Sequence, residues 1–249
     1  MISQDYIQLL KRMQENELRK MLLRQKEDII GEAKLNTIFI EECDEQLVNI
    51  VDYVNEAIIS MTEMRQRFAD ETLYVRKTIA EQLSAVASQI YPYKLKFFDA
   101  FRPIELQQKW FDTVYNDLQA KNPHWNEEKT RAEAFFYIFP SSWNLQTPPP
   151  HSTGAAIDLT IVDKNGIELD MGTKYAEFDN PLIYTNAVGL SNQQKQNRNL
   201  LLETMLKNSF VNYPAEWWHY SLGDREWIAY LDLSLPAIYG RTEDPYPKP

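Results

Sequence analysis

Two short runs of the chain contain the residues best suited to do chemistry. The first, PPPHSTGAAIDLT at residues 148–160, contains His151 and Asp158. The second, EWWHY at residues 216–220, contains Glu216 and His219. The chain has only three histidines, and two of them lie in these runs beside carboxylates. Two histidines, one aspartate and a nearby glutamate form the smallest set that can hold a catalytic zinc ion and activate its water.

The spacing in the first run predicts a turn. His151 and Asp158 are seven residues apart, and an odd separation on one strand places two side chains on opposite faces of a sheet. If both residues bind one ion, the chain must turn between them, and Gly154 allows that turn. We therefore expect His151 in the turn and Asp158 on the strand that follows.

The second run has two interpretations. Glu216 and His219 are three residues apart, so either the run is helical or Glu216 precedes the strand that carries His219. A proline at position 214 and the two adjacent tryptophans favour the second arrangement.

These residues divide into metal ligands and catalytic groups. The predicted ligands His151, Asp158 and His219 would leave the fourth zinc position open for water, as a catalytic site requires. Glu216 is the candidate to take the proton of that water and to pass it to the leaving amine. Arg102 follows a predicted strand and precedes a predicted helix, where it could stabilise the oxyanion that forms at the scissile carbonyl.

Composition limits the classes of function. The chain has 249 residues, is 44% hydrophobic and contains no linker or repeat, which predicts one domain. The net charge of -10, with no basic stripe, argues against a nucleic-acid partner. No run reaches the roughly 20 apolar residues of a membrane span, and the single cysteine excludes an internal disulfide. The N-terminus lacks a signal peptide, which predicts a cytoplasmic protein, or a periplasmic one if a leader was removed.

Apolar periodicity predicts the elements that position the site. We expect helices over residues 3–30, 44–61, 71–90, 127–138 and 192–208, a helix opened by Pro103, and strands over residues 94–101 and 157–162. Strands joined by hairpins and interleaved with helices indicate an α+β domain with a mainly antiparallel sheet. The helix over residues 3–30 is a candidate arm for homo-oligomer formation, although packing on its own domain is the simpler interpretation.

Three blocks of the sequence resemble those of a known family. FDAFRP at residues 98–103, HSTGAAIDLT at 151–160 and EWWHY at 216–220 are similar to blocks of the D-alanyl-D-alanine dipeptidases. These zinc peptidases are related to D,D-carboxypeptidases of the same hedgehog-like fold. The resemblance covers roughly residues 70 to 230, the peptidase core, and leaves residues 1–62 as a helical N-terminal extension of a single catalytic domain. It implies one zinc ion per chain, a small D,D-dipeptide substrate and a role in peptidoglycan metabolism.

The resemblance also assigns roles to residues. It implies that His151, Asp158 and His219 bind zinc. It makes Glu216 the general base and acid, and Arg102 the group that stabilises the transition state. These are the same five residues that the spacing argument selects.

Substrate contacts follow the family less closely. Pro149 stands where relatives usually have a serine, and Ala176 stands where they tend to have an aspartate that holds the substrate ammonium. The preference for D-Ala-D-Ala is therefore left open. The residues that we expect to contact the substrate are Ser152, Glu177, Asp179 and Trp218.

Two other functions are compatible with parts of this pattern. Two histidines and a carboxylate also hold Fe(II) in oxygenases, but those sites place the first histidine and the acid closer together in sequence. A protein that keeps this fold but only binds cell-wall peptides is the second alternative. The complete set of ligands and base argues against it.

Overall fold

The computed structural model of the protein describes Lys20, residues 24–60 and residues 72–246. Its helices are α1 (Glu32–Leu35), α2 (Lys77–Gln89), α3 (Ile104–Lys121), α4 (Glu127–Phe135), α5 (Asn192–Lys207) and α6 (Arg225–Tyr230). Its strands are β1 (Leu47–Asn49), β2 (Ile58–Ile59), β3 (Tyr74–Arg76), β4 (Lys94–Asp99), β5 (Ala156–Val162), β6 (Val211–Asn212) and β7 (His219–Ser221). No helix within these ranges is both long enough and apolar enough to span a membrane.

Five of the described strands form one sheet in the order β2-β4-β5-β7-β6. β2 runs parallel to β4, whereas β4, β5, β7 and β6 pair antiparallel with their neighbours. β1 and β3 form a separate antiparallel pair. Together with the flanking helices, this topology confirms the prediction of an α+β fold with a mainly antiparallel sheet.

The central strand β5 is buried along its whole length. Ile157, Leu159 and Ile161 belong to the main hydrophobic core, and the alternation of side chains along a strand turns Asp158 to the opposite face. Burial of each of these three side chains contributes about 1.5–3 kcal/mol. The apolar row of β5 therefore stabilises the strand that carries a buried carboxylate, whose burial alone would be unfavourable.

A β-bulge in β4 shapes the same face of the sheet. Phe97 pairs with Leu159, but the next paired residue is Asp99, opposite Asp158. A bulge inserts one extra residue and reorients the side chains that follow. Asp99 therefore lies on the Asp158 face, immediately before the segment that carries Arg102.

The helix predictions are wrong for residues 24–30 and for residues 44–60. Instead of a helix over residues 24–30, the chain forms a single 3-10 turn, Lys26–Asp28. The predicted helix over residues 44–61 is replaced by β1, the 3-10 turn Ile50–Asp52 and β2. Asn49 Oδ1 accepts hydrogen bonds from the N–H groups of Val51 and Leu73, which ends β1 and holds it beside β3. Residues 1–19, most of the proposed oligomerisation arm, lie outside the described residues.

The predictions for the core are confirmed. The strands expected over 94–101 and 157–162 correspond to β4 and β5, and the helices expected after Pro103 and over 127–138 and 192–208 correspond to α3, α4 and α5. The helix expected over 71–90 begins later, at Lys77, because residues 74–76 form β3.

The turn before β5 yields a test of stability. Gly154 has φ +73°, and an added Cβ would overlap Leu47 Cδ2. Gly166 has φ +81°, but the nearest atom to an added Cβ is 3.9 Å away. Gly166→Ala should lower the free energy of unfolding only by the left-handed backbone energy of about 1–2 kcal/mol, and Gly154→Ala should lower it further because the Leu47 side chain must move. Urea denaturation of both variants measures the difference; equal losses would show that Leu47 does not constrain the turn.

Candidate metal centre

The pairing of β5 with β7 brings Asp158 and His219 together. The two residues are directly opposite each other on adjacent antiparallel strands, and side chains of such a pair project from the same face. His219 Nδ1 lies 3.0 Å from Asp158 Oδ1. Glu216 precedes β7, as the second interpretation of the sequence predicts.

A 3-10 turn delivers His151 to the same face. The turn, Pro150–Thr153, ends at Gly154 in the left-handed conformation, and β5 begins two residues later. His151 Nδ1 lies 2.7 Å from the carbonyl oxygen of Ala100. Because this oxygen can only accept a hydrogen bond, Nδ1 carries the proton and Nε2 is free to bind a metal ion.

The three potential ligand atoms form a compact triangle. His151 Nε2 lies 3.2 Å from His219 Nδ1 and 3.4 Å from Asp158 Oδ1, and the third edge is the 3.0 Å contact between Asp158 and His219. Tetrahedral zinc with bonds of about 2.0–2.2 Å separates its ligand atoms by about 3.3–3.5 Å. All three residues are buried, and their geometry could hold a metal ion.

Glu226 orients one of these ligands. His219 Nε2 lies 3.1 Å from Glu226 Oε2, at the start of α6. A carboxylate can only accept here, so Nε2 carries the proton and Nδ1 is available to the metal ion. Glu226 is 2% exposed. Glu226 is not predictable from the spacing of the motifs, because its only signal in the sequence is an acid seven residues after His219, beyond a Gly-Asp helix start.

Tyr175 holds the carboxylate ligand from the other side. Its hydroxyl donates a hydrogen bond of 3.0 Å to Asp158 Oδ2, which leaves Oδ1 directed at the two histidines. The Tyr175 ring stacks on Phe98, with centroids 4.4 Å apart. Tyr175 is a second contributor that sequence reasoning missed, because it lies in a loop without a regular pattern.

The cluster shifts the pKa values of its members in opposite directions. Burial acts to raise the pKa of Asp158, but attraction and hydrogen bonds from the two histidines outweigh it and lower that pKa. Burial acts to lower the pKa of His219, but its hydrogen bonds to Asp158 and Glu226 raise that pKa well above the usual value. The site therefore favours positive charge at the position of the triangle.

Glu216 lies beside the triangle in the loop before β7. Its Oε2 atom is 3.9 Å from His219 Nδ1. The Asn212 side chain fixes the backbone of this loop by donating to the carbonyl oxygens of Glu216 and His219, at 3.0 and 2.9 Å. Burial raises the pKa of Glu216 to about 8, with Asp158 acting in the same direction. In this environment the Glu216 carboxyl group therefore holds a proton more strongly than an exposed glutamate does.

Arg102 reaches the cavity from the segment after β4. Two of its N–H groups contact Asp99 Oδ2, at 2.9 and 2.7 Å, and a third donates to Gln107 Oε1 at 2.9 Å. A guanidinium has five N–H donors. The described residues contact three of them, so two remain available to a bound ligand. The bulge that turns Asp99 onto this face thus also fixes Arg102.

One cavity joins these groups. It encloses an empty volume of about 510 Å³, part of which opens to solvent, and its lining includes Arg102, Glu216 and all three potential metal ligands. Most of the remaining wall is aromatic. The aromatic lining residues are Trp110, Tyr137, Phe139, Tyr175, Phe178, Tyr213 and Trp218.

The four residues expected to contact substrate are placed differently from one another. Trp218 lines the cavity. Ser152 instead donates its hydroxyl to the Arg102 carbonyl oxygen, and Glu177 accepts a hydrogen bond from the backbone N–H of Lys174. Asp179 pairs with Lys121 at the surface. The structure brings none of Ser152, Glu177 and Asp179 to the cavity wall.

Comparison with known proteins agrees with the blocks in the sequence. Residues 59–237 match the family model described as D-ala-D-ala dipeptidase. The chain belongs to this family. The D-alanyl-D-alanine dipeptidase of Synechocystis sp. is 32% identical over 186 residues, which cover 66% of this chain and 75% of that protein. The enzyme of the same name from Enterococcus faecium is 30% identical over 148 residues, 57% of this chain and 69% of that protein.

A solved structure is also similar, at a lower level. A vancomycin resistance D,D-pentapeptidase in complex with Zn(II) aligns with a TM-score of 0.40 and 15% identity, over 66% of this chain and 82% of that chain. Membership of the D-Ala-D-Ala dipeptidase family, predicted from the sequence blocks, is thus confirmed by the family match and the curated relatives.

The contact between Glu226 and His219 predicts an effect on metal affinity. Glu226→Ala should weaken zinc binding about 10–100-fold, because loss of a hydrogen-bond partner of a ligand histidine has effects of this size. Glu226→Gln keeps an oxygen acceptor and should lose less. Competition with a chromophoric chelator measures the dissociation constants. Glu81→Gln, at an exposed position of α2, is the control, and equal affinities in all four proteins would contradict the assigned contact.

The raised pKa of His219 predicts that metal binding depends on pH. A metal ion at His219 Nδ1 requires the neutral imidazole, so it must displace the proton that this atom shares with Asp158, while Nε2 keeps the proton held by Glu226. Below the raised pKa, the dissociation constant for zinc should therefore increase about tenfold for each unit by which the pH is lowered. Calorimetry in buffers with different ionisation enthalpies counts the released protons. A dissociation constant independent of pH, with no proton release, would exclude this displacement.

Proposed function

We propose that the protein is a zinc peptidase that hydrolyses D-alanyl-D-alanine or a closely related D,D-dipeptide. The observation that carries the proposal is the buried triangle of His151, Asp158 and His219, beside Glu216 and inside one cavity. Membership of the D-Ala-D-Ala dipeptidase family supports the reaction class and the substrate class.

The donor set fits zinc. Two imidazole nitrogens and one carboxylate oxygen are among the donors that zinc prefers, and their separations of 3.0–3.4 Å are close to those of a tetrahedral ion. The three residues approach from β5, β7 and the turn before β5, and all three line the cavity. When bound, zinc would lower the pKa of a water molecule to about 7 and polarise a substrate carbonyl.

Glu216 is the proposed general base and acid. It lies next to the proposed ligands and lines the cavity where the water would attack. Its carboxylate can take a proton from the attacking water and return it to the nitrogen of the leaving amine. A divalent cation nearby would act against the burial that raises the pKa of Glu216, and so would favour the basic carboxylate form.

Arg102 is the proposed oxyanion stabiliser. Its ion pair with Asp99 and its bond to Gln107 fix the guanidinium before any substrate binds. A guanidinium fixed in this way at the cavity wall could stabilise the charge that develops on the scissile carbonyl oxygen with little reorganisation.

The cavity wall supports a small substrate. Trp218 and the other aromatic rings line the cavity and leave room for a small molecule only, and Ala176 lies in the same wall. In the described lining, the carboxylates are Asp158 and Glu216, which have proposed roles in the chemistry. The amino end of a dipeptide would therefore meet aromatic faces, which attract an ammonium by about 0.5–2 kcal/mol.

Exchange of the base provides the main test. Glu216→Gln should lower kcat for D-Ala-D-Ala about 10²–10⁴-fold, because it removes general acid–base catalysis, while one zinc ion per chain is retained. Elemental analysis of the purified proteins measures the metal, and release of D-alanine measures turnover. Glu203→Gln, on the exposed side of α5, is the matched control and should behave like the wild type.

Several results would overturn the proposal. A wild-type protein that binds no zinc and cleaves no D,D-dipeptide after zinc is supplied would exclude the enzyme. Tight binding of D-Ala-D-Ala without cleavage would instead indicate a cell-wall peptide binder. Full activity of Glu216→Gln would leave zinc catalysis possible but remove Glu216 from it.

A further inference from the structure

Arg225, the first residue of α6, is a buried cation that connects two distant segments of the chain. Its Nη1 donates to the carbonyl oxygen of Leu35 at 3.2 Å and to Asn36 Oδ1 at 2.8 Å. Its Nη2 donates to the carbonyl oxygen of Pro148 at 2.9 Å. Arg225 is only 6% exposed, so each of these directional contacts is made in a desolvated environment where it counts for more than at the surface.

Two neighbours of Arg225, Pro148 in space and Glu226 in sequence, link it to the candidate metal centre. Pro148 lies two residues before the turn Pro150–Thr153, which carries His151. Glu226 follows Arg225 directly on α6 and holds His219. The position of the Arg225 guanidinium therefore affects the placement of two of the three proposed ligands, His151 and His219.

The segment that Arg225 contacts lies before the family match, which begins at residue 59. We call residues 24–36 the N-terminal brace. Besides its contacts with Arg225, the brace packs on the other end of α6: the N–H of Ile30 donates to the Tyr230 hydroxyl at 3.2 Å, and the Arg24 guanidinium lies 4.6 Å from the centre of the Tyr230 ring. The brace thus contacts α6 at both of its ends.

Apolar contacts fix the brace in the same place. Leu35 forms a small buried cluster with Phe135 of α4 and Ala229 of α6. Burial of a leucine side chain contributes about 1.5–3 kcal/mol. A helix of only six residues has little stability of its own, so α6 depends on such tertiary contacts for its position.

We propose that the N-terminal brace, acting through Asn36 and Arg225, positions Glu226 against His219 and thereby raises the affinity of the site for zinc. Asn36 and Arg225 are positioning residues, because neither lines the cavity that holds the proposed catalytic groups. The inference rests on the metal site of the proposed function, but its readout is zinc affinity and does not require hydrolysis.

Asn36 offers a mild substitution. The residue is exposed, and its side-chain oxygen contacts Arg225, so Asn36→Ala should leave the fold intact. We expect this variant to bind zinc about threefold to tenfold more weakly, less than the 10–100-fold expected when a partner of a ligand is itself removed. Asn36→Asp keeps the acceptor and adds a charge that suits Arg225, and should restore wild-type affinity. Lys34→Ala, exposed in the same brace, is the matched control.

A double-mutant cycle separates positioning from a general loss of stability. If Asn36 acts through Glu226, Asn36→Ala should weaken zinc binding in the wild type but have no further effect in the Glu226→Ala background. Arg225→Lys tests the other partner: it retains the charge but not the planar fork that reaches three acceptors, and should weaken binding at least as much as Asn36→Ala. All dissociation constants are measured by chelator competition on the full chain.

The outcomes are distinct. Equal zinc affinity of wild type, Asn36→Ala and Arg225→Lys would overturn the proposed role of the brace in zinc binding. It would leave the proposed peptidase activity unaffected. Equal losses for Asn36→Ala with and without Glu226 would also overturn it, because the effect would not pass through Glu226. If the wild type binds zinc but cleaves no D,D-dipeptide, the proposed peptidase activity is excluded. The double-mutant cycle then still tests whether the brace raises zinc affinity. If the wild type binds no zinc, both proposals fail.

Discussion

The site depends on a carboxylate, Asp158, held between two imidazoles on a buried face of the sheet. Strand alternation forbids His151 and Asp158 to meet on one straight strand, so the chain must leave the extended conformation between them. Gly154 in the left-handed conformation allows this, and the opposition of β5 and β7 brings in His219. The triangle of potential ligand atoms is thus a consequence of where one strand begins and which strand lies beside it.

Around this arrangement, each potential ligand has a second partner. The Ala100 carbonyl fixes His151, the Tyr175 hydroxyl fixes Asp158 and the Glu226 carboxylate fixes His219. Carboxylates outnumber cations in this buried region, and the raised pKa values of Glu216 and His219 reflect a tendency to take up protons. A divalent cation could neutralise the same negative charge as those protons, so the electrostatics of this cluster favour binding of a cation.

The sequence predicts the parts of the site that follow from local rules. A glycine between a histidine and an apolar strand, and a proline before a short strand, specify backbone geometry within a few residues, so the five principal residues could be selected. Glu226 could not, because its contact with His219 depends on where α6 packs. The prediction of a helix over residues 44–61 was wrong for a similar reason. The apolar spacing of this segment suits a helix, but pairing of β1 with β3 determines the conformation at its start. Glu177 and Asp179 do not line the cavity, and the sequence does not reveal this because the direction of a loop has no periodic signal.

The brace also constrains how metal binding and folding are coupled. Its contacts with Arg225 are directional hydrogen bonds to particular oxygens, so α6 cannot shift along the brace without breaking them. If docking of the brace raises zinc affinity, linkage requires that zinc raise the stability of the docked brace by the same free energy. A segment outside the family match would then be ordered most firmly when the catalytic metal is bound. The shared core and the N-terminal segment would in that case act as one cooperative unit, with α6 as the element that both require.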